Sequence, residues 1–230
     1  MRRPFTCLAM LTTALMVVST LFLGTAPPAA ALQVVTIRGG TVLHAATGAQ
    51  CVIGFNARSA TTPPTYYGVM IGHCSGTYRT TWYADAARTV PVGVTAGASY
   101  PIDDYGVVRY TSNTLALPGD LSLGGGALQD ITGAATPAVG QSVCHVGRAS
   151  GVRCGTVTAL NVTVNFAEGT VHGLIRSTTC AEPGDDGAPA YSGTRAVGFL
   201  VASTGNCASG GVSYYQPVTE VLGAFGLTVY

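Results

Sequence analysis

The chain has 230 residues, only 9% of them charged, and a formal net charge of +1. That length suffices for one large β domain or two small barrels with a real core. So few charges, so evenly balanced, argue against nucleic acid or an anionic membrane surface as a partner.

Met1 to Ala31 reads as a signal peptide: Arg2 and Arg3 form the positive start, an apolar run follows to about Leu23, and Ala29-Ala30-Ala31 supplies small residues for cleavage. Secretion to an extracellular location is therefore expected. No later stretch is apolar for long enough to span a bilayer. From Val34 to Asn113, short runs rich in β-branched and aromatic residues predict strands at Val52–Asn56, Tyr66–Ile71, Thr80–Tyr83, Val90–Val94 and Tyr105–Tyr110. The Gly-rich stretch Pro118–Gly126 reads as a linker between two halves. Strand-like runs resume at Ser142–Val146, Thr156–Leu160, Val162–Phe166, Leu174–Thr178, Ala196–Val201 and Val212–Tyr215. In the tail Pro217–Phe225, apolar residues at 218, 221, 222 and 225 with a leading proline predict a short helix. The economical reading is two all-β halves and a closing helix.

Cys7 leaves with the leader, and six cysteines remain: Cys51, Cys74, Cys144, Cys154, Cys180 and Cys207. An even count in an exported chain predicts three disulfides, with fifteen pairings open. There is no Cys-x-x-Cys pair and the four histidines are scattered, so neither metal nor cofactor is expected.

Three clusters could carry chemistry. Ile71-Gly-His73-Cys74 puts a histidine at the end of an apolar strand. Asp103-Asp104 precedes another strand, Tyr105–Tyr110. Cys180-Ala-Glu-Pro-Gly-Asp185-Asp186-Gly-Ala-Pro-Ala-Tyr191 reads as a rigid, exposed loop with paired carboxylates at its apex. Singly, each has a bland reading: a structural histidine, a solvated turn, or a turn or Ca²⁺ site in place of a catalytic dyad. Their order along the chain, His then Asp then a Gly-Asp-x-Gly loop, matches one of the convergent hydrolase arrangements.

Beyond that order, nearly all of the chain after the leader resembles the streptogrisin subgroup of chymotrypsin-like serine proteases. The resemblance rests on Ile37-Arg-Gly-Gly40, Gly72-His73-Cys74, Asp104-Tyr-Gly-Val-Val-Arg-Tyr110, Cys154-Gly-Thr-Val-Thr-Ala-Leu-Asn161, Cys180-Ala-Glu-Pro-Gly-Asp185 and Gly211-Val-Ser-Tyr-Tyr-Gln-Pro-Val218. It implies an all-β fold of two six-stranded antiparallel barrels, at about 37–117 and about 127–230 within a domain of 32–230, with the site in the cleft between them. It supports the pairings 51–74, 144–154 and 180–207. His73 matches the general base, Asp104 the residue that orients it, Gly184 the oxyanion-hole glycine and Asp185 the buried aspartate supporting that loop. A basic residue after Cys144 usually pairs with that aspartate in such proteins; His145 stands there, with Arg148 nearby.

Two departures bear on function. Asp186 occupies the position that the resemblance gives to the nucleophilic serine. Val201-Ala202-Ser203 stands where the pocket wall usually reads Ser-Gly-Gly, so side chains at 202 and 203 would crowd a substrate strand. A carboxylate has no proton to give at neutral pH, and its attack on an amide would form a high-energy anhydride. The expectation is a monomeric, secreted family member that has lost peptidase activity. The rival readings are a serine-type endopeptidase with an unusual site and a module binding a peptide or protein in the cleft.

Overall fold

The computed structural model describes residues 34–230; the leader read over Met1–Ala31 lies outside them. Seven strands of the first half enter its main sheet: β1 (Val42–Ala45), β2 (Gln50–Val52), β3 (Phe55–Ser59), β4 (Tyr66–Met70), β5 (Thr81–Tyr83), β6 (Pro91–Ser99) and β7 (Tyr105–Tyr110). The second half supplies β8 (Ser142–Gly147), β9 (Gly151–Phe166), β10 (Gly169–Ser177), β11 (Pro189–Ser192), β12 (Arg195–Asn206), β13 (Gly210–Pro217), the helix α1 (Val218–Phe225) and β14 (Leu227–Val229).

Two curled sheets result. The first has the order β14-β3-β4-β7-β6-β5-β1-β2. The chain passes from β2 at one edge into β3 near the other through Ile53-Gly54, and so closes the barrel itself. Gly54 fits that crossing because a side chain would press on Phe199 at 3.1 Å and the Val69 carbonyl at 3.3 Å. The second sheet runs β12-β11-β8-β9-β10-β13, and β13 pairs back onto β12 to complete a ring of six. The short strand Gly133–Ala134 adds to β12 in parallel.

One large apolar cluster runs through both sheets, with Phe55, Val69, Trp82 and Val107 of the first beside Phe199, Val201, Val171 and Leu174 of the second. A smaller cluster, including Val143, Ile175, Leu200 and Tyr215, fills the second barrel. The predicted helix is α1, which buries Val218, Val221 and Leu222 and ends on Gly226 in the left-handed region at φ 61°. Cysteines pair 51–74, 144–154 and 180–207.

Three local expectations differ from what forms. The stretch read as a linker supplies the first strand and turn of an antiparallel hairpin, Asp120–Gly124 against Ala127–Asp130, with Leu121 buried. The runs Thr156–Leu160 and Val162–Phe166 are one continuous strand, β9, because Asn161 takes a left-handed φ of 54° inside a bulged pairing with β10. The Cys180–Tyr191 loop is exposed only at Pro183, Gly184 and Asp186; its last residues are buried and enter β11.

Candidate active site

The site is assembled from turns at the ends of strands. After β4 the chain passes Ile71 and turns at Gly72-His73. Gly72 is required there, since a side chain would lie 2.8 and 2.9 Å from the Tyr105 backbone oxygen and nitrogen. Asp104, immediately before β7, is fully buried. Its Oδ1 accepts the Gly72 N–H at 2.8 Å and the His73 N–H at 2.9 Å, while Oδ2 lies 2.7 Å from His73 Nδ1. The carboxylate therefore fixes both the turn and the ring that the turn carries. With Oδ2 as acceptor, Nδ1 bears the proton and Nε2 is left for the cleft. Asp103 is diverted to the Ser99 hydroxyl at 2.9 Å, so only one of the adjacent acids meets the histidine.

Gln216 of β13 accepts the Asp104 N–H at 2.7 Å, and its own amide donates to Glu220 in α1. This buried relay across the two halves was not found from the sequence; the one signal available was a glutamine inside an apolar strand.

Asp185 and Asp186 part company. Asp185 is buried, and its Oδ1 accepts the Ala149 and Ser150 N–H groups at 2.7 and 3.1 Å while Oδ2 accepts the Glu182 N–H at 2.9 Å. Burial opposes its ionisation, but the Ser150 hydroxyl and these amides outweigh it and hold the pKa below the ordinary carboxylate value. Saturated by donors and turned inward, it forms no dyad with Asp186 and leaves no oxygen pair for a Ca²⁺ ion.

His145 does not pair with Asp185. It is fully buried, with Nδ1 2.8 Å from the Tyr215 hydroxyl, and Nε2 has no partner among the described residues. Burial pushes its pKa down to about 4, so the ring is neutral near pH 7. Arg148 reaches out to Gln50 Oε1 at 3.3 Å instead. Backbone amides take the place of a cationic partner for Asp185.

Asp186 is exposed and lines two adjoining cavities, both of which include His73. One, of about 390 Å³, is bounded by His73, Tyr100, Phe166, Glu168, Asp186 and Val201. The other, of about 210 Å³, includes Gln50, the Cys51–Cys74 region, Arg148 and Gly184. Gly184 has a φ of 99°, a backbone state suited to glycine. Among the described residues, neither the Gly184 nor the Asp186 N–H donates to another residue. The His73 pKa is raised: the Asp104 hydrogen bond comes first, burial opposes it, and the charges of Asp104, Asp186 and Glu168 add to it.

The structure thus gathers His73, Asp104, Gly184, Asp186 and Val201 around one cleft. Val201 sits where the β12–β13 register shifts, is buried, and lines the larger cavity. Ala202 is half-buried and Ser203 exposed further along β12. Tyr100, Phe166 and Glu168 were not expected at the site.

No family model matches the chain. It is 42% identical over 178 residues to Serine protease 2 of Streptomyces fradiae, spanning 77% of this chain and 100% of that protein. It is 39% identical over 194 residues to Streptogrisin-A of Streptomyces griseus, spanning 84% of this chain and 61% of that protein. Among solved structures, it is similar to the alpha-lytic protease homolog N4 at 52% identity and TM-score 0.76, covering 85% of this chain and 100% of the other. A glutamic-acid-specific serine protease aligns at 38% identity and TM-score 0.77, covering 84% of this chain and 100% of that one. Two barrel-like sheets with a His–Asp pair in the cleft define the chymotrypsin-like class, and within it the chain belongs to the streptogrisin-like serine protease family.

Proposed function

We propose that this is a secreted member of the family in which peptidase activity has been lost and the cleft binds a peptide segment. Asp186 carries the reading. It stands on the Gly-Asp-x-Gly loop, where the family resemblance puts the nucleophilic serine, and is an exposed carboxylate in the same cavities as His73. Peptide hydrolysis of this type needs an oxygen that His73 deprotonates and that then forms an acyl ester; Asp186 offers neither. Its negative charge also occupies the region where the oxyanion would develop beside the free Gly184 N–H. Loss of a triad member leaves only about 10³–10⁴-fold acceleration over water from binding and the oxyanion hole. The three disulfides suit an oxidising, extracellular setting, consistent with the leader read at Met1–Ala31.

A serine-type endopeptidase is the second reading, favoured by the intact His73–Asp104 pair at 2.7 Å. Labelling the purified protein with a fluorophosphonate and assaying it on a broad set of peptide substrates separates the two. No labelling and no hydrolysis are expected. Stoichiometric labelling, or turnover within the range of ordinary proteases, establishes the endopeptidase instead.

A further inference from the structure

The larger cavity beside His73 is built from both barrels, and its charge is one-sided. Glu168 lies at the tip of the β9–β10 hairpin, in the tight turn between Phe166 and Gly169. That tip is seated against the first barrel by several contacts. Gly169 has a φ of 145°, and a side chain there would lie 2.5 and 2.9 Å from carbons of the Pro101 ring, so glycine allows the close approach. The His172 N–H donates to the Ile102 carbonyl at 3.1 Å. The Tyr100 hydroxyl donates to Glu168 Oε2 at 3.3 Å, across the mouth of the cleft. Glu168 is thus a carboxylate held over the cavity by its backbone.

Asp186 faces the same space from the loop after Cys180. No arginine lines this cavity, and neither acid makes a salt bridge among the described residues. When the His73 ring is charged, the Asp104 carboxylate 2.7 Å from its Nδ1 balances that charge, so Glu168 and Asp186 leave the cavity with a net negative excess. The remaining walls include two aromatic rings, Tyr100 and Phe166, with the Tyr100 ring centre 5.7 Å from that of His73. Paired carboxylates with aromatic faces suit a cation on an apolar stem: the rings cover the methylenes and attract the charge, and the carboxylates accept its N–H groups. A volume of about 390 Å³ has room for one long side chain. The smaller cavity is more balanced, with Arg148 as well as Asp186 in its lining.

We infer that the cavity between Glu168 and Asp186 is a selectivity pocket for a lysine or arginine side chain of the bound peptide, with Tyr100 and Phe166 flanking its stem. The inference rests on the peptide-binding reading above and adds to it the class of peptide. The site is open to solvent, so the preference is modest and sensitive to salt.

The test uses the natural protein and its Glu168→Gln variant with three fluorescein-labelled, end-blocked alanine hexapeptides that differ only in one central residue: arginine, norleucine or glutamate. Affinities are read by fluorescence anisotropy at low and high ionic strength. In the natural protein the arginine peptide binds about tenfold more tightly than the norleucine peptide, the glutamate peptide binds most weakly, and high salt compresses the spread. Glu168→Gln brings the ratio of arginine to norleucine affinity most of the way to one. Equal affinities for all three peptides, or a full arginine preference surviving in Glu168→Gln, overturn the selectivity pocket while the peptide-binding reading stands. Absence of binding by every peptide overturns both. If the protein instead cleaves the peptides, the loss of activity is wrong, and the same order in kcat/KM still decides the selectivity.

Discussion

His73 lies between two kinds of neighbour. Asp104 is buried and hydrogen-bonded to it, while Asp186 shares the cavities without any hydrogen bond to it. Both favour the imidazolium, so each raises the pKa above its ordinary value, with the Asp104 hydrogen bond the largest cause. Removing the Asp186 charge takes away part of that support. Asp186→Ser is therefore expected to lower the His73 pKa relative to the natural protein, which NMR titration of the imidazole protons measures directly. An equal or higher value in the variant would mean that Asp186 and His73 do not sense each other. The pair His73 and Asp104 was legible in the sequence because strand-end motifs and chain order locate it. The partner of Asp185 was not: the family resemblance puts a basic residue at position 145, but complete burial of His145 beside Tyr215 makes a neutral ring the cheaper state. Glu168 was equally invisible, since a single acid in a hairpin turn looks solvated until the turn is seen seated against Tyr100 and Pro101.

At the level of elements, β12 decides whether a restored nucleophile could work. Val201 falls at the register shift between Leu200 and Ala202, where the strand turns a buried side chain toward the cleft. Asp104 Oδ2 has His73 as its one hydrogen-bond partner among the described residues, whereas the family resemblance would place a serine hydroxyl from position 201 against that aspartate. On the proposed reading, Asp186→Ser completes a triad but leaves the base less firmly held and the wall altered. Productive attack needs near-attack geometry, and a small displacement can cost about 10²-fold. The single variant is expected to react slowly with a fluorophosphonate, which needs little of the wall, and to hydrolyse extended peptides poorly. Adding Val201→Ser, Ala202→Gly and Ser203→Gly should raise peptide turnover by about 10²-fold. Equal, robust rates in the single and quadruple variants would show that the wall is harmless. Strands that combine aromatic residues with valine, such as β4 and β7, were legible within a residue or so of their ends. The hairpin of Asp120–Gly124 with Ala127–Asp130 and the strand β11 were not, because glycine and proline mark turns locally while long-range pairing decides whether the flanking residues join a sheet.

Across the whole molecule, the chain's end returns to its first half. After α1, β14 pairs with β3 through Leu227↔Ser59 and Val229↔Ala57, placing a strand of the C-terminal segment on the edge of the first sheet. Leu227 and Val229 are buried in the large cluster that runs through both sheets, and the Tyr230 hydroxyl donates to the Leu117 carbonyl at 2.8 Å. Arg58 also lies over the Tyr230 ring, 5.1 Å from its centre. These contacts couple the two barrels mechanically as well as through the core. Deleting residues 227–230 removes two buried apolar side chains, worth about 1.5–3 kcal/mol each, and leaves the β3 edge unpaired. A loss of about 3–6 kcal/mol is expected from the apolar burial alone. Trp82 is the sole tryptophan, fully buried in β5 of the first sheet, so its fluorescence reports that barrel, while far-UV circular dichroism reports both. With the larger apolar cluster shared between the barrels, the two probes should trace a single coincident denaturation in the full chain and shift together in the truncated one. A fluorescence transition that moves while the remaining circular dichroism change stays in place would show that the barrels unfold independently, and that the strand at the chain's end stabilises only the sheet it joins.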